Sequence, residues 1–438
     1  MKRATQIPLF DEPLPSTAAD EVHDRVSHRH LHVAKSTFKG GLDTAFHRWF
    51  RLTPSYGPEL VRQVLEEFGA GPHDVVLDPF SGAGTTAIEC KLLGMQAYGF
   101  EINPFLHFVA QTCLQWDLNA TMGETYLARL REEYRRLLSA LEGKGVADCG
   151  LEIPPIHNVH RWWRADVLKE MLVIKEALKA AEIPTVWTDF FRLALAAVLV
   201  PDLTNVTLGR LQLHFIDKSS HVMRTWEVFE RQCRMMLGDL AKPHGNTNKA
   251  IVFNTDATNP AISDSFKANI VITSPPYPNR YSYVWNTRPH LYMLDFFKGK
   301  SDAGMLDTKT IGGTWGTATS MLAKGQLEPE NDAVREAAGP VVERIRESDG
   351  LMANYVMKYF NLIARQLAAM EPFLAPDAKI AYVVGNSCIK DVYVETDVIL
   401  GRIIEGLDLG YRVDNIERFR KRHSGTDLYE TTVYAAKR

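Results

Sequence analysis

An apolar run, Ile270-Val271-Ile272-Thr273, stops abruptly at Ser274-Pro275-Pro276-Tyr277, a turn whose residue types could do chemistry. Both prolines have a fixed φ and no backbone N–H. The carbonyls of Ser274 and Pro275 are therefore not consumed by a following helical turn, and the Tyr277 ring is held in one place. A rigid cluster of acceptors beside a flat ring suits a planar substrate with an exocyclic amine: the acceptors take its N–H hydrogens while the ring stacks on its face. The competing reading is a core strand that merely ends at prolines. Three β-branched residues in succession after Asn269 predict that this strand is buried in a parallel sheet.

A second stretch, Asp78-Pro79-Phe80-Ser81-Gly82-Ala83-Gly84-Thr85-Thr86, joins a short strand ending at Asp78 to a helix from Ala87 to Leu93. Strand, glycine loop and helix make the βα turn at which doubly wound sheets bind cofactors, with Gly82 and Gly84 letting the backbone approach the ligand closely. The next strand, Gln96 to Phe100, ends in Glu101, an acid placed for ribose hydroxyls. Gly82-x-Gly84-x-x-Ala87 also fits a dinucleotide fingerprint, so this half alone does not separate a dehydrogenase from a methyltransferase. A carboxylate at Asp78 tilts the balance, because it would repel a pyrophosphate and could pair with the ammonium of a methionyl cofactor. Residues 250–257 read as a third strand ending in another acid, Asp256, which could accept from the adenine amine of that cofactor.

The elements that must position these stretches belong to a soluble chain. At 438 residues, 45% hydrophobic and 24% charged, it makes one large or two ordinary domains with a full core. No run reaches the length of a membrane span and Met1 to Gln6 lacks the apolar core of a signal peptide, so a cytoplasmic protein is expected. The five cysteines are scattered without paired spacing, which indicates neither a disulfide framework nor a metal site. A formal charge of −3 argues mildly against a nucleic-acid binder, but local distribution matters more than the sum. Basic residues cluster between Arg25 and Arg51 and again at Arg418-Phe419-Arg420-Lys421-Arg422-His423, as solvated faces or as contacts to a polyanion.

Along the chain, residues 1–36 lack any period and are expected to be an extended or disordered arm. Within it Gln6-Ile7-Pro8-Leu9-Phe10 resembles the short peptides by which bacterial DNA-processing proteins dock on the replication sliding clamp. Gln6, Leu9 and Phe10 are the candidate contacts; an unstructured arm with a few apolar residues is the alternative. Leu60, Val61, Val64, Leu65 and Phe68 fall at helical spacing after Pro58. Residues 117–245 then interrupt the strand–helix alternation with helical patterns over 121–143, 189–200 and 222–240, a mainly helical insertion too long for a loop. Inside it, Arg161-Trp162-Trp163-Arg164 and residues 210–218 mix aromatic and basic side chains as base-stacking surfaces do, although buried tryptophans beside surface charge would look the same. Beyond the proline turn, residues 279–286 are expected to line the same cleft, with 292–297 helical behind it and 299–339 a mobile loop with its own short helix. Helices at 352–370 and 394–407, a fifth strand at 378–387 and a terminal strand pair at 411–419 and 430–436 complete the pattern.

Taken together, the Asp78 and Thr273 stretches resemble the cofactor and catalytic motifs of the amino-methylating DNA methyltransferases, which act on N4 of cytosine or N6 of adenine. The resemblance covers most of Phe46 to Lys437 outside the insertion. It implies an α/β class I (Rossmann-like) S-adenosylmethionine-dependent fold, a mostly parallel seven-stranded sheet with an antiparallel last strand. The catalytic domain would then be 37–116 with 246–438, and the insertion a candidate for DNA recognition. It implies S-adenosylmethionine as cofactor, held by Asp78, Phe80, Gly82, Gly84, Thr85 and Thr86, with Glu101 on the ribose, Asp256 on the adenine and Thr273 at the strand end. It implies double-stranded DNA as partner, with Ser274, Pro275, Pro276 and Tyr277 holding a flipped base. Serine ahead of the prolines is more typical of N4-cytosine enzymes. Attack at cytosine C5 would need a cysteine where Tyr277 stands. Two other readings stay open: methyl transfer to RNA or a protein amide, and a clamp-tethered DNA-binding protein with a residual cofactor fold.

Overall fold

The computed structural model describes residues 21–29, 31, 36–208, 212–242, 248–279, 281–313, 317–325, 331–423 and 426–438. Gln6, Leu9 and Phe10 lie outside these residues. Twelve strands are described: β1 (Val26–His28), β2 (Val75–Asp78), β3 (Gln96–Phe100), β4 (Val206–Leu208), β5 (Leu213–Phe215), β6 (Ala250–Phe253), β7 (Ala268–Thr273), β8 (Leu374–Gly385), β9 (Ser387–Ile389), β10 (Val392–Val394), β11 (Tyr411–His423) and β12 (Thr426–Lys437). Eight of them form one sheet in the order β6-β3-β2-β7-β8-β12-β11-β1. The strands from β6 to β8 run parallel, and β12 inserts antiparallel between β8 and β11. This is the class I methyltransferase arrangement. Chain order reverses at the β2/β7 pair, where Leu77 lies opposite Val271, so the turns after Asp78 and Thr273 open into one crevice. Ile270, Val271 and Ile272 are all nearly inaccessible, as a strand covered on both faces requires.

The eighth strand is a departure from the expected seven and from the expected arm. Residues 26–28 pair with Ile416, Glu417 and Arg418 at the sheet edge. Polar side chains fix the edge: Ser27 Oγ donates to Asn415 Oδ1 at 2.8 Å, and Arg25 reaches Glu405 and the Val413 carbonyl. No hydrophobic period betrays a three-residue strand held in this way.

Fourteen helices are described. Around the sheet stand α1 (Pro58–Glu67), α2 (Thr85–Leu92) and α3 (Pro104–Cys113). The insertion carries α4 (Ala120–Ala140), α5 (Val159–Trp162), α6 (Ala165–Ala180), α7 (Thr185–Val198) and α8 (Thr225–Leu240). Helix α6 escaped the periodic reading because Val167, Leu168, Met171, Leu172, Val173 and Ile174 bury it nearly all round. The insertion's core is continuous with one face of the sheet. Asp239 of α8, fully buried, bolts the two together by accepting from Arg48 and from Trp49 Nε1.

After β7 come α9 (Tyr283–Met293), α10 (Asp302–Lys309), α11 (Thr317–Ala323), α12 (Asp332–Arg346), α13 (Gly350–Met370) and α14 (Thr396–Gly406). Two expectations change here. Within the stretch 279–286 read as cleft lining, Tyr283 and Val284 do line the cleft, but residues 283–286 are the start of α9, begun by Ser282 Oγ accepting from Trp285 N; Pro289 inside the helix hid it. The stretch 299–339 is not a loop with one short helix, since α10, α11 and the start of α12 occupy it. The two short helices are held by tertiary bonds: Ser282 Oγ donates to the buried Asp307 at 2.5 Å, and Asn354 Nδ2 to the Leu322 carbonyl at 3.0 Å. Among the described residues no helix is long and apolar enough to cross a membrane.

Candidate active site

The loop after β2 is shaped by glycine and braced by a carboxylate. Gly84, at φ +88°, is the N-cap of α2, a conformation that strains any side chain, and a Cβ there would press on Ala110 Cβ at 3.0 Å. Gly99 on β3 clears room beneath the loop, where a Cβ would meet Ser81 Oγ at 2.8 Å. Asp78 ends β2 with 1% exposure. Its Oδ1 accepts from the Thr273 hydroxyl at 2.5 Å and from Phe80 N at 3.0 Å, while its Oδ2 accepts from the Tyr56 hydroxyl at 2.9 Å. Tyr56 in turn bonds Thr86. Burial pushes the Asp78 carboxyl upward, against these donors, which favour its ionised form. One carboxylate thus ties the glycine loop, the strand end before Ser274 and the segment ahead of α1.

The crevice is a cleft of about 890 Å³. Seven of the thirteen residues singled out in the sequence line it: Phe80, Gly82, Thr85, Glu101, Asp256, Ser274 and Pro276. Asp78, Gly84, Thr86 and Thr273 lie beneath its wall as supports, because their polar groups are spent on one another or, for Gly84, on starting α2. Pro275 is buried, Tyr277 half-buried, and neither is among the lining residues. Glu101 Oε2 accepts from Gly82 N at 2.8 Å and Oε1 from Asn103 N at 2.7 Å. Asp256 Oδ1 takes both the backbone N–H and the hydroxyl of Thr258, each at 2.8 Å. Ser274 lines the cleft and its hydroxyl has no protein partner among the described residues; the Ser81 hydroxyl, also without one, is buried beneath the loop against Gly99. Ser81, Tyr56 and the Lys309-Thr310-Ile311 wall were not foreseen. Ser81 could have been found inside the glycine loop, whereas nothing local marks Lys309.

The comparisons with known proteins fall on the same elements. The DNA methylase family profile matches residues 49–111, from the segment before α1 to α3. The type II methyltransferase M.AvaI of Nostoc sp. is 21% identical over 442 residues, covering 94% of this chain and 88% of that protein. M.MvaI of Kocuria varians is 21% identical over 368 residues, 79% of this chain and 76% of its own. M.BsoBI of Geobacillus stearothermophilus reaches 30% identity over 92 residues, a match spanning only 18% of that protein. The chain is thus similar to type II DNA methyltransferases over most of its length, and to the DNA methylase family model over residues 49–111.

Among the described residues, several arginines of the two basic clusters are paired from within. Arg418 donates to Asp397 and Glu395, and Arg420 pairs with Glu430. Arg29 meets Glu67 and Glu417, and Arg48 meets Asp239. Each acid lies far from its arginine in sequence or across a hairpin, so composition alone left a surface for a polyanion open. Trp162 and Trp163 are buried at 3% and 0% exposure, which removes their faces from base stacking.

Proposed function

We propose that this chain transfers a methyl group from S-adenosylmethionine to the exocyclic amine of a base flipped out of double-stranded DNA, with N4 of cytosine favoured over N6 of adenine. The observation that carries the reading is the shared cleft: Ser274 and Pro276, at the end of β7, face the same space as the Gly82 loop, Glu101 and Asp256. The residues fit the cofactor. Glu101 and Asp256 offer carboxylates for a diol and an amine, the Ser81 hydroxyl has no partner among the described residues, and Phe80, Pro276 and Ile311 supply apolar faces. Bound S-adenosylmethionine supplies an electrophilic methyl on sulfur.

The chain's own part is to make a poor nucleophile attack. An aromatic amine has its lone pair delocalised into the ring. By accepting the amine hydrogens, the Ser274 hydroxyl and the Pro275 carbonyl localise that pair on nitrogen, and Tyr277 steadies the ring. A covalent route finds no support, since the five cysteines lie outside the cleft. Serine at position 274 supports cytosine as the base.

The test is incubation with methyl-labelled S-adenosylmethionine and unmethylated bacterial DNA, followed by digestion to nucleosides and mass spectrometry. N4-methylcytosine is the expected product. N6-methyladenine would overturn the choice of base, and label appearing only in RNA or protein offered in parallel would overturn the DNA reading.

Glu101 makes a separate, pH-dependent prediction. Burial pushes its carboxyl up to about 7, against the N–H groups of Asn103 and Gly82. Above that pH it is ionised and accepts from ribose hydroxyls; below it the proton must leave before the diol is bound. Affinity for S-adenosylhomocysteine is expected to rise about tenfold from roughly pH 6 to pH 8. Calorimetry across that range should find Glu101→Gln weaker and flat; an equally steep variant would remove Glu101 from this role.

A further inference from the structure

Helix α9 begins in the cleft wall with Tyr283 and Val284, and one turn on it carries Arg288 to the junction with the insertion. The Arg288 guanidinium lies 4.0 Å from the Trp285 ring centroid and 5.2 Å from that of Trp162 in α5. Trp162 packs edge-on against Phe215 of β5 at 4.9 Å, and Arg161 lies 3.9 Å over that same Phe215 ring. Three elements, one from the catalytic sheet's side and two from the insertion, thus build one aromatic platform bearing two cations.

These two arginines differ from those around them. Arg164 pairs with Asp166, Arg192 with Asp189, Arg48 with Asp239, and Arg234 with Glu230 and Glu124. Neither Arg288 nor Arg161 has a carboxylate within ion-pair distance among the described residues. Arg288 donates Nε to the Trp285 carbonyl at 3.0 Å, and its Nη groups have no acceptor among the described residues. Its pKa is lowered to about 10 by burial, so it is still charged at neutral pH.

We propose that Arg288 and Arg161 form a station for backbone phosphates of a DNA strand, one helical turn beyond the cleft wall at Val284, a role that rests on the DNA reading above. The rings lie within cation–π distance of both guanidinium groups, and the Nη groups of Arg288 have no acceptor among the described residues, which leaves them for the phosphate oxygens that guanidinium groups match. A half-buried cation lacking an anion is costly, and a phosphate would offset that. In a chain of net charge −3, attraction to DNA must be local, and here it sits beside Tyr283 and Val284 where a strand feeding a base into the cleft would run. Trp162 and Trp285 therefore serve as a bed for Arg288 rather than as a surface for bases.

The experiment is fluorescence anisotropy of the full chain on a labelled mixed-sequence duplex between about 50 and 200 mM salt. Arg288→Gln and Arg161→Gln are each expected to lower affinity about tenfold at the low-salt end and to reduce the slope of log K against log salt by about 0.9. Arg234→Gln, the paired control, should keep both. S-adenosylhomocysteine calorimetry verifies that each variant is folded; if Arg288→Gln is not, the exposed Arg161 carries the test alone. Wild-type slopes in the glutamine variants, or weaker binding at an unchanged slope, would overturn the station. A wild-type protein that does not bind the duplex would instead overturn the DNA reading itself.

Discussion

Asp78→Ala is expected to destabilise the fold by about 2–5 kcal/mol and to weaken cofactor binding by more than tenfold. Removing the carboxylate leaves the Thr273 hydroxyl and Phe80 N–H buried without an acceptor, each costing about 1–3 kcal/mol. Tyr56 loses its bond to Asp78 and keeps the one to Thr86. The Phe80 N–H bond also holds the glycine loop at its entry, so the cleft wall shifts along with the stability. Asp78→Asn separates the two effects. Its amide oxygen still accepts from Thr273 and Phe80, and its NH2 can donate to Tyr56, so about half of the lost stability should return. Denaturant unfolding and S-adenosylhomocysteine calorimetry on both variants read this directly. An alanine variant that unfolds with the wild type would mean that the buried bonds contribute nothing net.

What could be read in the chain, and what could not, follows from how local each signal is. The turn at Ser274 is legible because proline chemistry and a β-branched run act on neighbouring residues, and the loop at Gly82 and Gly84 is legible for the same reason. Tyr56 was invisible as a partner of Asp78 because only the approach of the segment before α1 to β2 puts the hydroxyl there. Lys309, Thr310 and Ile311 were read into a loop, since α10 has eight residues and draws its place from the Ser282–Asp307 bond rather than from its own pattern. Arg288 sits in a helix that Pro289 concealed, so nothing in the sequence set it beside Trp162. The charge clusters left both readings open: Arg418 looks free in sequence, and only the folding of β11 against Asp397 shows it paired.

Ser274→Ala is expected to lower the rate of methyl transfer about 10²–10³-fold, the effect of removing one polar group that acts mainly on the transition state. The wild-type hydroxyl has no protein partner among the described residues, so its loss should leave stability within about 0.5 kcal/mol. Cofactor affinity should change less than about twofold, because the group is expected to face the amine rather than the cofactor. That pattern, a fall in single-turnover rate with binding and melting unchanged, is what distinguishes a residue touching the base from one that only shapes the turn. Ser274→Asn, which restores an acceptor at the same strand end, should recover part of the rate, whereas a packing role would gain nothing from it. An alanine variant within about threefold of wild type would mean that the Pro275 carbonyl alone localises the lone pair, and would move the argument from the side chain to the proline-fixed backbone that follows it.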